Sequence, residues 1–380
     1  MKILMTSETY LPRFGGAEIH VDNLIKNLKQ KKHDILLFTN EEGGENTGVI
    51  RLEWKKKNLF KIWKILWKES PDVDIIHCHY SYRLAAICSV IGRLRGIPVV
   101  ITLHGMGILN HPDTIFIYQL AHSLYRYTSL KLSTRIISTS EDLAKFAYKY
   151  INKDKVSIIM NGFDEYLFNR NVSISKDLLN KNDKNKIIVT VRRLVPKNGV
   201  HYLIEAMPYI IEKIPNVKYI IIGDGPMKEY IKDRIQKLGI GGYVDIIGEL
   251  PSKEIPEYLK LSDVVIFPST AESSSIACAE AMAVGCSIVA SRVGGLVELL
   301  GKNEERGRFV RLVDWEDSDY GAPIEIGNDK YRELADVVIT SVLDKKKEKL
   351  NNALIYAETN LSWESISDQT INLYNKVIKK

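Results

Sequence analysis

Two glutamates, Glu272 and Glu280, enclose seven small or apolar residues in the second half of the chain. A loop follows a strand pattern here, and a helical pattern begins near Ser275. Loop amides and the free N–H groups of a helix start attract anions, and those of Ser274, Ser275 and Ile276 lie at this point. Two carboxylates beside them can accept hydrogen bonds from hydroxyl groups, which sugar and ribose recognition requires. A lone glutamate at this place would only offset the helix dipole.

Two cations follow the strand pattern Ile187–Val191 and precede another helical pattern: Arg193 and Lys197. Fixed cations beside a helix start are suited to stabilise a diphosphate leaving group. A solvated basic loop is the alternative interpretation of the same segment.

Two glycine pairs are candidates for contact with a ligand. Gly15 and Gly16 come after the first strand pattern and open a helix, where a missing Cβ lets the backbone approach a ligand closely. A flexible turn without a ligand would look the same. Gly223 and Gly225 form a Gly-x-Gly turn, but no third glycine follows, so the dinucleotide signal is weak.

Several histidines lie at or near the ends of strand patterns. His104 is so placed, and as a neutral imidazole it can hydrogen-bond a sugar hydroxyl; a purely structural histidine is the alternative. His77 and His79 share one face of a strand, yet no further ligand cluster is near in sequence, so we predict no metal site. His111 and Asp113 are candidates for contact with an acceptor on position alone.

Short apolar runs alternate with amphipathic segments along the chain. This alternation predicts an α/β fold with parallel sheets covered by helices on both faces. The predicted strands are Ile3–Thr6, Ile35–Thr39, Ile75–His79, Val99–Leu103, Ile136–Ser140, Ile158–Met160, Ile187–Val191, Val217–Ile222, Tyr243–Ile247, Val264–Pro268 and Ser287–Ala290. The predicted helices are Ala17–Gln30, Leu59–Trp67, Arg83–Arg95, Glu141–Tyr150, Gly199–Ile214, Met227–Lys237, Ile255–Leu261 and Cys278–Val284.

The pattern restarts after a polar stretch at 171–185, which indicates a linker between two doubly wound halves. Such halves place a ligand cleft between them, at the carboxyl ends of both sheets. We expect an acceptor-binding domain at 1–170 and a donor domain at 171–358. A terminal helix at 359–380 is expected to cross back onto the first domain.

Taken together, these motifs resemble those of glycosyltransferase family 4 (group 1). The stretch from Glu272 to Glu280, followed by Ala-x-Ala-x-Gly, is similar to the E-x7-E motif of that family. The family also has Gly-Arg-Leu, three residues, then Lys-Gly. Arg193 matches the arginine of this pattern, but Asn198 stands in the position of the lysine, with Lys197 one residue earlier.

The resemblance implies a GT-B fold, in which two Rossmann-like domains face a central cleft. It implies transfer of a hexose or N-acetylhexosamine from a nucleoside diphosphate sugar with retention of anomeric configuration. In the family the first glutamate lies by the donor sugar and the second binds the ribose, which assigns these roles to Glu272 and Glu280. Arg193 and Lys197 would contact the diphosphate.

The same resemblance extends to the other candidate residues. It implies that Gly15 and Gly16 face the donor diphosphate across the cleft, that His104 lies next to the donor sugar, and that Gly223 and Gly225 line the nucleotide side. It implies no cofactor and no metal, which agrees with the lack of an Asp-x-Asp motif in the expected place. The sugar, the base (uridine, guanosine or adenosine) and the glycan, lipid-linked or small-molecule acceptor stay open.

The net charge of +6 is concentrated in the first half of the chain. Residues 1–170 carry 24 Lys and Arg against 17 Asp and Glu, and the remainder carries 29 against 30. Residues 54–68 interleave six lysines with Trp54, Phe60, Trp63 and Trp67. This aromatic stripe either faces the core or forms an interfacial helix that meets anionic lipid headgroups, as a lipid-linked acceptor would require.

Length and composition set limits on the class of protein. The 380 residues predict two domains. No run of 18 apolar residues and no secretory signal is evident, so we expect a cytoplasmic protein, with the basic segment as its only candidate contact at the inner face of a membrane. Four scattered cysteines are expected to be reduced and buried.

Other classes of protein agree less well with the sequence. A nucleotide-sugar epimerase could share the fold without using an acceptor. A phosphorylase would normally be far longer, and a dehydrogenase would need the third glycine. A nucleic-acid-binding module could use the basic first half, but its cations are spread along helices and no such motif is present, so nucleic acid is not an expected partner.

Overall fold

The computed structural model describes residues 1–13, 15–43, 47–55, 58–105, 116–182, 184–312, 326–344 and 346–379. The chain forms two compact units, here called unit 1 (Met1–Gly162 and Trp363–Lys380) and unit 2 (Phe163–Ser362). The sequence placed the bounds after residues 170 and 358. The first boundary lies earlier and the second lies later, at the point where Phe163 bridges Ser362 and its amide donates to the carbonyl of Leu361 at 3.0 Å.

The helices and strands alternate as a doubly wound fold requires. The strands are β1 (Lys2–Ser7), β2 (Asp34–Thr39), β3 (Val49–Arg51), β4 (Ile75–His79), β5 (Val99–Leu103), β6 (Arg135–Ser138), β7 (Val156–Ile158), β8 (Lys186–Val191), β9 (Val217–Ile222), β10 (Val244–Gly248), β11 (Val264–Phe267), β12 (Ile288–Ser291) and β13 (Arg308–Val310). The helices are α1 (Gly16–Gln30), α2 (Leu59–Glu69), α3 (Arg83–Arg95), α4 (Phe116–Leu132), α5 (Glu141–Tyr148), α6 (Lys176–Asn182), α7 (Val200–Lys213), α8 (Lys228–Lys237), α9 (Ile255–Leu261), α10 (Ile276–Val284), α11 (Gly295–Leu300), α12 (Asn328–Leu343), α13 (Lys347–Asn360) and α14 (Trp363–Ile378).

Each unit is built on one parallel sheet. The strand order is β3-β2-β1-β4-β5-β6-β7 in unit 1 and β10-β9-β8-β11-β12-β13 in unit 2. In both sheets the chain first winds outward in one direction and then continues from the other side of the first strand. The order reverses between β1 and β4 in unit 1 and between β8 and β11 in unit 2, which is where such sheets bind ligands, at the carboxyl ends of the strands.

The core explains why the strands read as continuous apolar runs. In unit 1 one apolar cluster joins the sheet to α2, α3 and α5, and a second cluster joins its other side to α1 and α14. In unit 2 one large cluster joins the sheet to α7, α8 and α12. Strands covered on both faces have no solvent-facing side, so polar alternation is absent from their sequences.

The terminal helix α14 is part of the core of unit 1. Trp363, Leu373 and Tyr374 are buried in the same apolar cluster as α1. Lys31, which directly follows α1, also pairs with Asp368 at 2.7 Å. The helix begins at Trp363 rather than near 359, because the backbone pairing of residues 361 and 362 with Phe163 separates it from α13.

Some elements differ from the sequence-based expectation. The stretch at 171–185 is not a bare linker, since it contains α6 within unit 2. The helix was not predicted because its residues are mostly polar and show no apolar periodicity. The short edge strands β3 and β13 were also missed, because three-residue strands carry too little pattern to stand out. The helices α4, α11 and α12 were not predicted either.

Two further expectations concern whole-chain properties. All four cysteines are free and buried, which confirms that prediction. Among the described residues, no helix combines the length and the apolar composition that crossing a lipid bilayer requires.

Candidate active site

The central strands of unit 2 bring two loops together at the point where the strand order reverses. Arg192 directly follows β8, and Glu272 lies in the loop after β11. The two strands are parallel neighbours, with Ile188 beside Val264 and Val189 beside Val265. Their carboxyl ends therefore lie side by side, so the two loops that follow them meet.

Arg192 is the centre of a hydrogen-bond network in this place. Its guanidinium Nη1 donates to Ser275 Oγ at 3.1 Å, and its Nη2 donates to Asn198 Oδ1 at 3.2 Å. Nη2 also contacts Ser269 Oγ and a carboxylate oxygen of Glu272. Only 9% of the Arg192 side chain and 12% of the Glu272 side chain are exposed, so this ion pair is poorly screened by solvent. The network fixes the direction of both charged groups.

Three glycines hold the surrounding loops against one another. A Cβ at Gly294 would lie 1.7 Å from the carbonyl oxygen of Glu272, and one at Gly199 would lie 1.8 Å from that of Pro268. A Cβ at Gly223 would lie 2.0 Å from the carbonyl oxygen of Arg192. All three have positive φ, which glycine adopts without strain. The loops around the ion pair are therefore fixed by close backbone packing.

The same packing gives a structural reason for the Gly-x-Gly turn at Gly223 and Gly225. A Cβ at Gly225 would meet the carbonyl oxygen of Leu194 at 2.4 Å, and the amide of Leu194 donates to the carbonyl of Asp224 at 2.9 Å. Both glycines are thus required to seat this turn on the residues that follow β8. Their predicted contact with a nucleotide stays a prediction.

The predicted phosphate cations Arg193 and Lys197 lie near this network, but their side chains are exposed. The structure brings Arg192, rather than Arg193, to Glu272. Sequence reasoning missed Arg192, Asn198 and Ser269. The signal was present as two adjacent arginines, but neighbouring residues at a strand end point in different directions, and the sequence does not say which one turns inward.

The sequence predicted that a helix begins near Ser275, and α10 does begin there. This helix start lies beside the ion pair of Arg192 and Glu272. Ser275 is the N-cap, and its hydroxyl accepts from the amide of Cys278 at 3.3 Å. The same hydroxyl accepts from Arg192, so the cap and the guanidinium are joined. Ser274 and Ile276 flank the cap and are partly exposed. The free amides of this first turn favour an anion.

Glu280 lies one turn further along α10. Burial raises the pKa of Glu280 to about 8, and the negative charge of Asp164 adds to this shift. The carboxyl group is therefore largely protonated at neutral pH. A protonated carboxyl both donates and accepts, so it can pair with a ribose hydroxyl in either direction.

Unit 1 carries the other predicted residues. Gly15 is the N-cap of α1 and has no side-chain cap, and Gly16 is the first helical residue. The nearby Glu18 is buried, and its carboxylate accepts from Thr9 Oγ1 at 2.5 Å. A Cβ at Gly15 would lie 2.4 Å from the other carboxylate oxygen of Glu18. This glycine therefore leaves room for a carboxylate at the helix start.

His104 lies at the end of a row of histidines in unit 1. Its Nε2 is 2.8 Å from Nδ1 of His79, and its ring centroid is 4.7 Å from that of His20. His77 continues the row, with its Nδ1 2.5 Å from the hydroxyl of Tyr374 in α14. His104 is partly exposed, and the other three are buried.

The histidine row is held in the neutral form. Burial lowers the pKa of His20 to about 4 and that of His77 to about 3. Burial, followed by the neighbouring histidines, also lowers the pKa values of His79 and His104 well below the usual range. A neutral imidazole at His104 is the form that the sequence analysis required for a hydrogen bond to a sugar hydroxyl.

Three of these histidines also have the spacing of metal ligands. Within the described ranges, one nitrogen each of His20, His79 and His104 lies within 4.8 Å of the others. Such a set could hold a transition metal ion, for which neutral imidazole is a suitable ligand. The predicted absence of a metal therefore stays a prediction. The acceptor candidates His111 and Asp113 lie outside the described residues.

The fold and the unit 2 loops together define a class of protein. A parallel sheet with a buried cation at its switch point, next to a helix start, is suited to bind a phosphorylated ligand. The comparisons with known proteins specify the class further. Residues 173–319 match the family described as "Glycosyl transferases group 1", and residues 14–166 match "Glycosyltransferase Family 4". The chain belongs to glycosyltransferase family 4 (group 1), and it moves a sugar from a nucleotide sugar.

Relatives that are also named as glycosyltransferases match between 72% and 98% of this chain. An uncharacterized glycosyltransferase of Methanocaldococcus jannaschii is 28% identical over 98% of this chain and 98% of its own length. An Escherichia coli protein is 29% identical over 72% of this chain and 71% of its own length. Its name is UDP-Gal:alpha-D-GlcNAc-diphosphoundecaprenol alpha-1,3-galactosyltransferase.

Solved structures confirm the predicted GT-B fold. Anabaena HepE in complex with UDP superimposes with a TM-score of 0.78 at 20% identity, covering 99% of this chain and 100% of that chain. Sucrose-phosphate synthase from Thermosynechococcus elongatus gives 0.71 at 19% identity, covering 100% of this chain and 99% of its own. At this level of identity the likeness concerns the fold.

Proposed function

We propose that this glycosyltransferase moves a hexose from a nucleoside diphosphate sugar to a hydroxyl group of a lipid-linked acceptor, with retention of anomeric configuration and without a metal ion. The observation that carries the donor part is the buried pair of Arg192 and Glu272 beside the start of α10. A cation and a carboxylate fixed side by side suit a ligand that has a diphosphate at one end and sugar hydroxyls at the other.

The proposed reaction breaks the bond between the anomeric carbon and the diphosphate oxygen. The acceptor oxygen forms its new bond to the same carbon on the same face, and its proton passes to the departing diphosphate. Cationic and amide contacts in unit 2 stabilise the charge that develops on the leaving group. In this proposal Glu272 and His104 orient the sugar, and Glu280 binds the ribose.

Names of relatives favour a lipid-linked acceptor. Besides the Escherichia coli protein, an alpha-monoglucosyldiacylglycerol synthase of Acholeplasma laidlawii is 24% identical over 76% of this chain and 80% of its own length. Uridine diphosphate hexoses are the first donors to test, because the Escherichia coli name contains UDP-Gal and the HepE structure contains UDP.

The surface of α2 supports contact with a membrane. Ile62 and Leu66 face the core, whereas Phe60 is 77% exposed and Trp67 is also exposed. Two members of the aromatic stripe, Trp54 and Trp63, pack against the core, so the stripe is divided between the core and the surface. Lys64 lies between Phe60 and Trp67 on the exposed face. Phe60 and Lys64, together with the 37% exposed Trp67, match the interface of an anionic bilayer.

The donor and stereochemistry can be tested together. Purified protein is incubated with UDP-, GDP- and ADP-hexoses and with polyprenyl diphosphate-sugar or diacylglycerol acceptors, and products are followed by mass spectrometry and NMR. We expect transfer from one donor class, with an α-linked product from an α-linked donor. Conversion of the donor without any acceptor would support an epimerase instead, and a β-linked product would contradict retention.

Metal independence has its own test. We expect turnover to be unchanged by EDTA, because protein cations and helix amides would supply the charge on the diphosphate. Loss of turnover in EDTA, with recovery on adding Mn²⁺, Mg²⁺ or Zn²⁺, would contradict this part of the proposal. The ligands to test first would then be His20, His79 and His104.

Membrane contact is tested by flotation with vesicles of phosphatidylcholine alone or with phosphatidylglycerol. We expect the protein to float with the anionic vesicles only, and the double variant Phe60→Ser/Trp67→Ser to lose this binding. The matched control is Ile355→Ser, which changes an exposed apolar residue of α13 in unit 2. Equal flotation of the double variant and the wild type would exclude α2 as the membrane contact.

A further inference from the structure

Two departures from the family pattern occur in one short loop of this chain. Where the family has Gly-Arg-Leu, three residues and Lys-Gly, this chain has Arg192 in the position of the first glycine and Asn198 in the position of the lysine. A cation has thus been lost at one position and gained six residues earlier. The two changes are far enough apart in sequence that nothing in the pattern alone connects them.

The structure places these two residues in contact. Arg192 Nη2 donates to Asn198 Oδ1 at 3.2 Å. The side-chain amide of Asn198 is buried, and its Nδ2 donates to the carbonyl of Arg193 at 2.7 Å. This second bond fixes which side of the amide faces the guanidinium. Asn198 therefore acts as a support for the arginine rather than as a ligand-binding cation.

The guanidinium is a buried cation beside a helix start, and one of its donors is unused within the described part of the chain. A guanidinium has five N–H donors. Here the Nη1 and Nη2 groups contact Ser275, Asn198, Ser269 and Glu272. Its Nε is buried and has no hydrogen-bond partner among the described residues. The side chain is 9% exposed, and it lies at the N-terminus of the nine-residue helix α10. A fixed cation that is partly exposed at a helix start is suited to contact a phosphate group.

Lys197 is less suited to this task. Its side chain is exposed, and its backbone carbonyl accepts from the amide of Thr270 at 2.8 Å, which fixes the main chain here. An exposed lysine has a flexible stem and a strongly hydrated ammonium group, whereas the guanidinium of Arg192 is already oriented by four acceptors.

We propose that Arg192 supplies the cationic contact to the donor diphosphate that the family pattern assigns to the lysine, with Asn198 holding it in place. This inference rests on the proposed function. It replaces the earlier assignment of that contact to Lys197, and it leaves Arg193 as the second cation of the loop. The family lysine at position 198 and Arg192 then have the same function, and the phosphate-binding cation has changed its position within the loop.

The test moves the cation back to its family position. Four variants are compared with the wild type: Arg192→Gly, Arg192→Lys, Lys197→Ala and the double variant Arg192→Gly/Asn198→Lys. Affinities for UDP, GDP and ADP and for the matching nucleoside monophosphates are measured by isothermal titration calorimetry. The matched control is Lys237→Ala, an exposed cation of α8 that pairs with Asp233.

We expect Arg192→Gly to weaken binding of the preferred nucleoside diphosphate by about 10- to 100-fold, in line with the loss of one charge-assisted contact. Binding of the monophosphate should weaken less. The double variant should recover most of the diphosphate affinity, and Arg192→Lys should retain part of it. Lys197→Ala should lose less than Arg192→Gly. Recovery by a cation at a different position separates a phosphate contact from a purely structural role.

Several results would overturn the inference. Unchanged diphosphate binding by Arg192→Gly would exclude the contact, and so would a greater loss in Lys197→Ala. A folded double variant, judged by its circular dichroism and Tm, that binds no better than Arg192→Gly would show that the arginine only supports the loop. If the wild type binds none of the three nucleoside diphosphates, the proposed function itself fails, which is a separate result.

Discussion

At the scale of single residues, Glu272 pairs with Arg192 and is proposed to orient the sugar. A conservative variant can separate these two roles. Glu272→Gln keeps the shape and a hydrogen-bond acceptor for Arg192 but removes the charge. We expect kcat/KM for sugar transfer to fall by about 100-fold, because contacts to the sugar in the transition state weaken. Affinity for the nucleoside diphosphate should stay the same or rise, since the phosphates no longer compete with a carboxylate for the guanidinium.

The control for this prediction is Glu229→Gln, in which an exposed carboxylate of α8 paired with Lys232 is changed. Its transfer kinetics should match those of the wild type. If Glu272→Gln loses diphosphate affinity and retains its turnover number, Glu272 does not orient the sugar.

Glu280 gives a pH-dependent prediction. Its pKa in the folded protein is about 8, above the value of 4.5 for an unperturbed carboxyl. Between these values the folded state binds more protons than the unfolded state, so this group's contribution to the free energy of unfolding decreases as the pH rises. We expect Glu280→Gln to be more stable, relative to the wild type, at pH 8 than at pH 5, as measured by urea denaturation. An equal difference at both pH values would contradict the raised pKa.

At the scale of elements, the assignment of α14 to unit 1 can be tested by stability. Leu373→Ala removes a side chain that is buried in the cluster shared with α1. We expect a loss of about 2–4 kcal/mol in the free energy of unfolding, as for other buried leucines. Lys376→Ala, on the exposed side of the same helix, should change stability by less than about 0.5 kcal/mol. Similar values for both variants would mean that α14 does not contribute to this core.

The sequence predicts the regular elements better than the site. Buried strands such as β4 and β9 have the predicted bounds, because their apolar residues form unbroken runs between turns. The short edge strand β3 and the polar helix α6 were not predicted, since their formation depends on neighbours that are distant in sequence. Propensity and periodicity are local properties, and tertiary packing can override them.

The same limit explains why Arg192, at the end of β8, was not predicted. Glu272, Glu280 and the helix start near Ser275 were located by their spacing together with the resemblance to the family motif. Which of two adjacent arginines turns toward Glu272 depends on the loop conformation, and that conformation depends on packing against Gly223 and Pro268. These contacts join residues separated by dozens of positions, so the sequence pattern contains no direct record of them.

At the scale of the whole molecule, the histidine row predicts sensitivity to acid. The folded-state pKa values of His20 and His77, about 4 and about 3, lie below the value of 6.5 for an unperturbed histidine. As the pH falls below about 6.5, the unfolded state takes up protons that the folded state does not. Each of these histidines should then lower the free energy of unfolding by ~1.4 kcal/mol per pH unit, until its folded-state pKa is reached.

Urea denaturation between pH 7 and pH 5 measures this slope. His20→Gln should make the dependence shallower than in the wild type. The control His122→Gln changes an exposed histidine of α4 and should leave the slope unchanged. Equal slopes in all three proteins would show that His20 does not contribute to the acid sensitivity.

The central claim is that unit 2 holds the nucleotide of the donor at the carboxyl ends of β8 and β11. A crystal structure with the nucleoside diphosphate that binds most tightly tests it directly. We predict ribose hydroxyls within hydrogen-bond distance of Glu280, about 2.6–3.2 Å, and phosphate oxygens at the start of α10 in contact with Arg192. A nucleotide bound elsewhere, with both residues untouched, would contradict the claim.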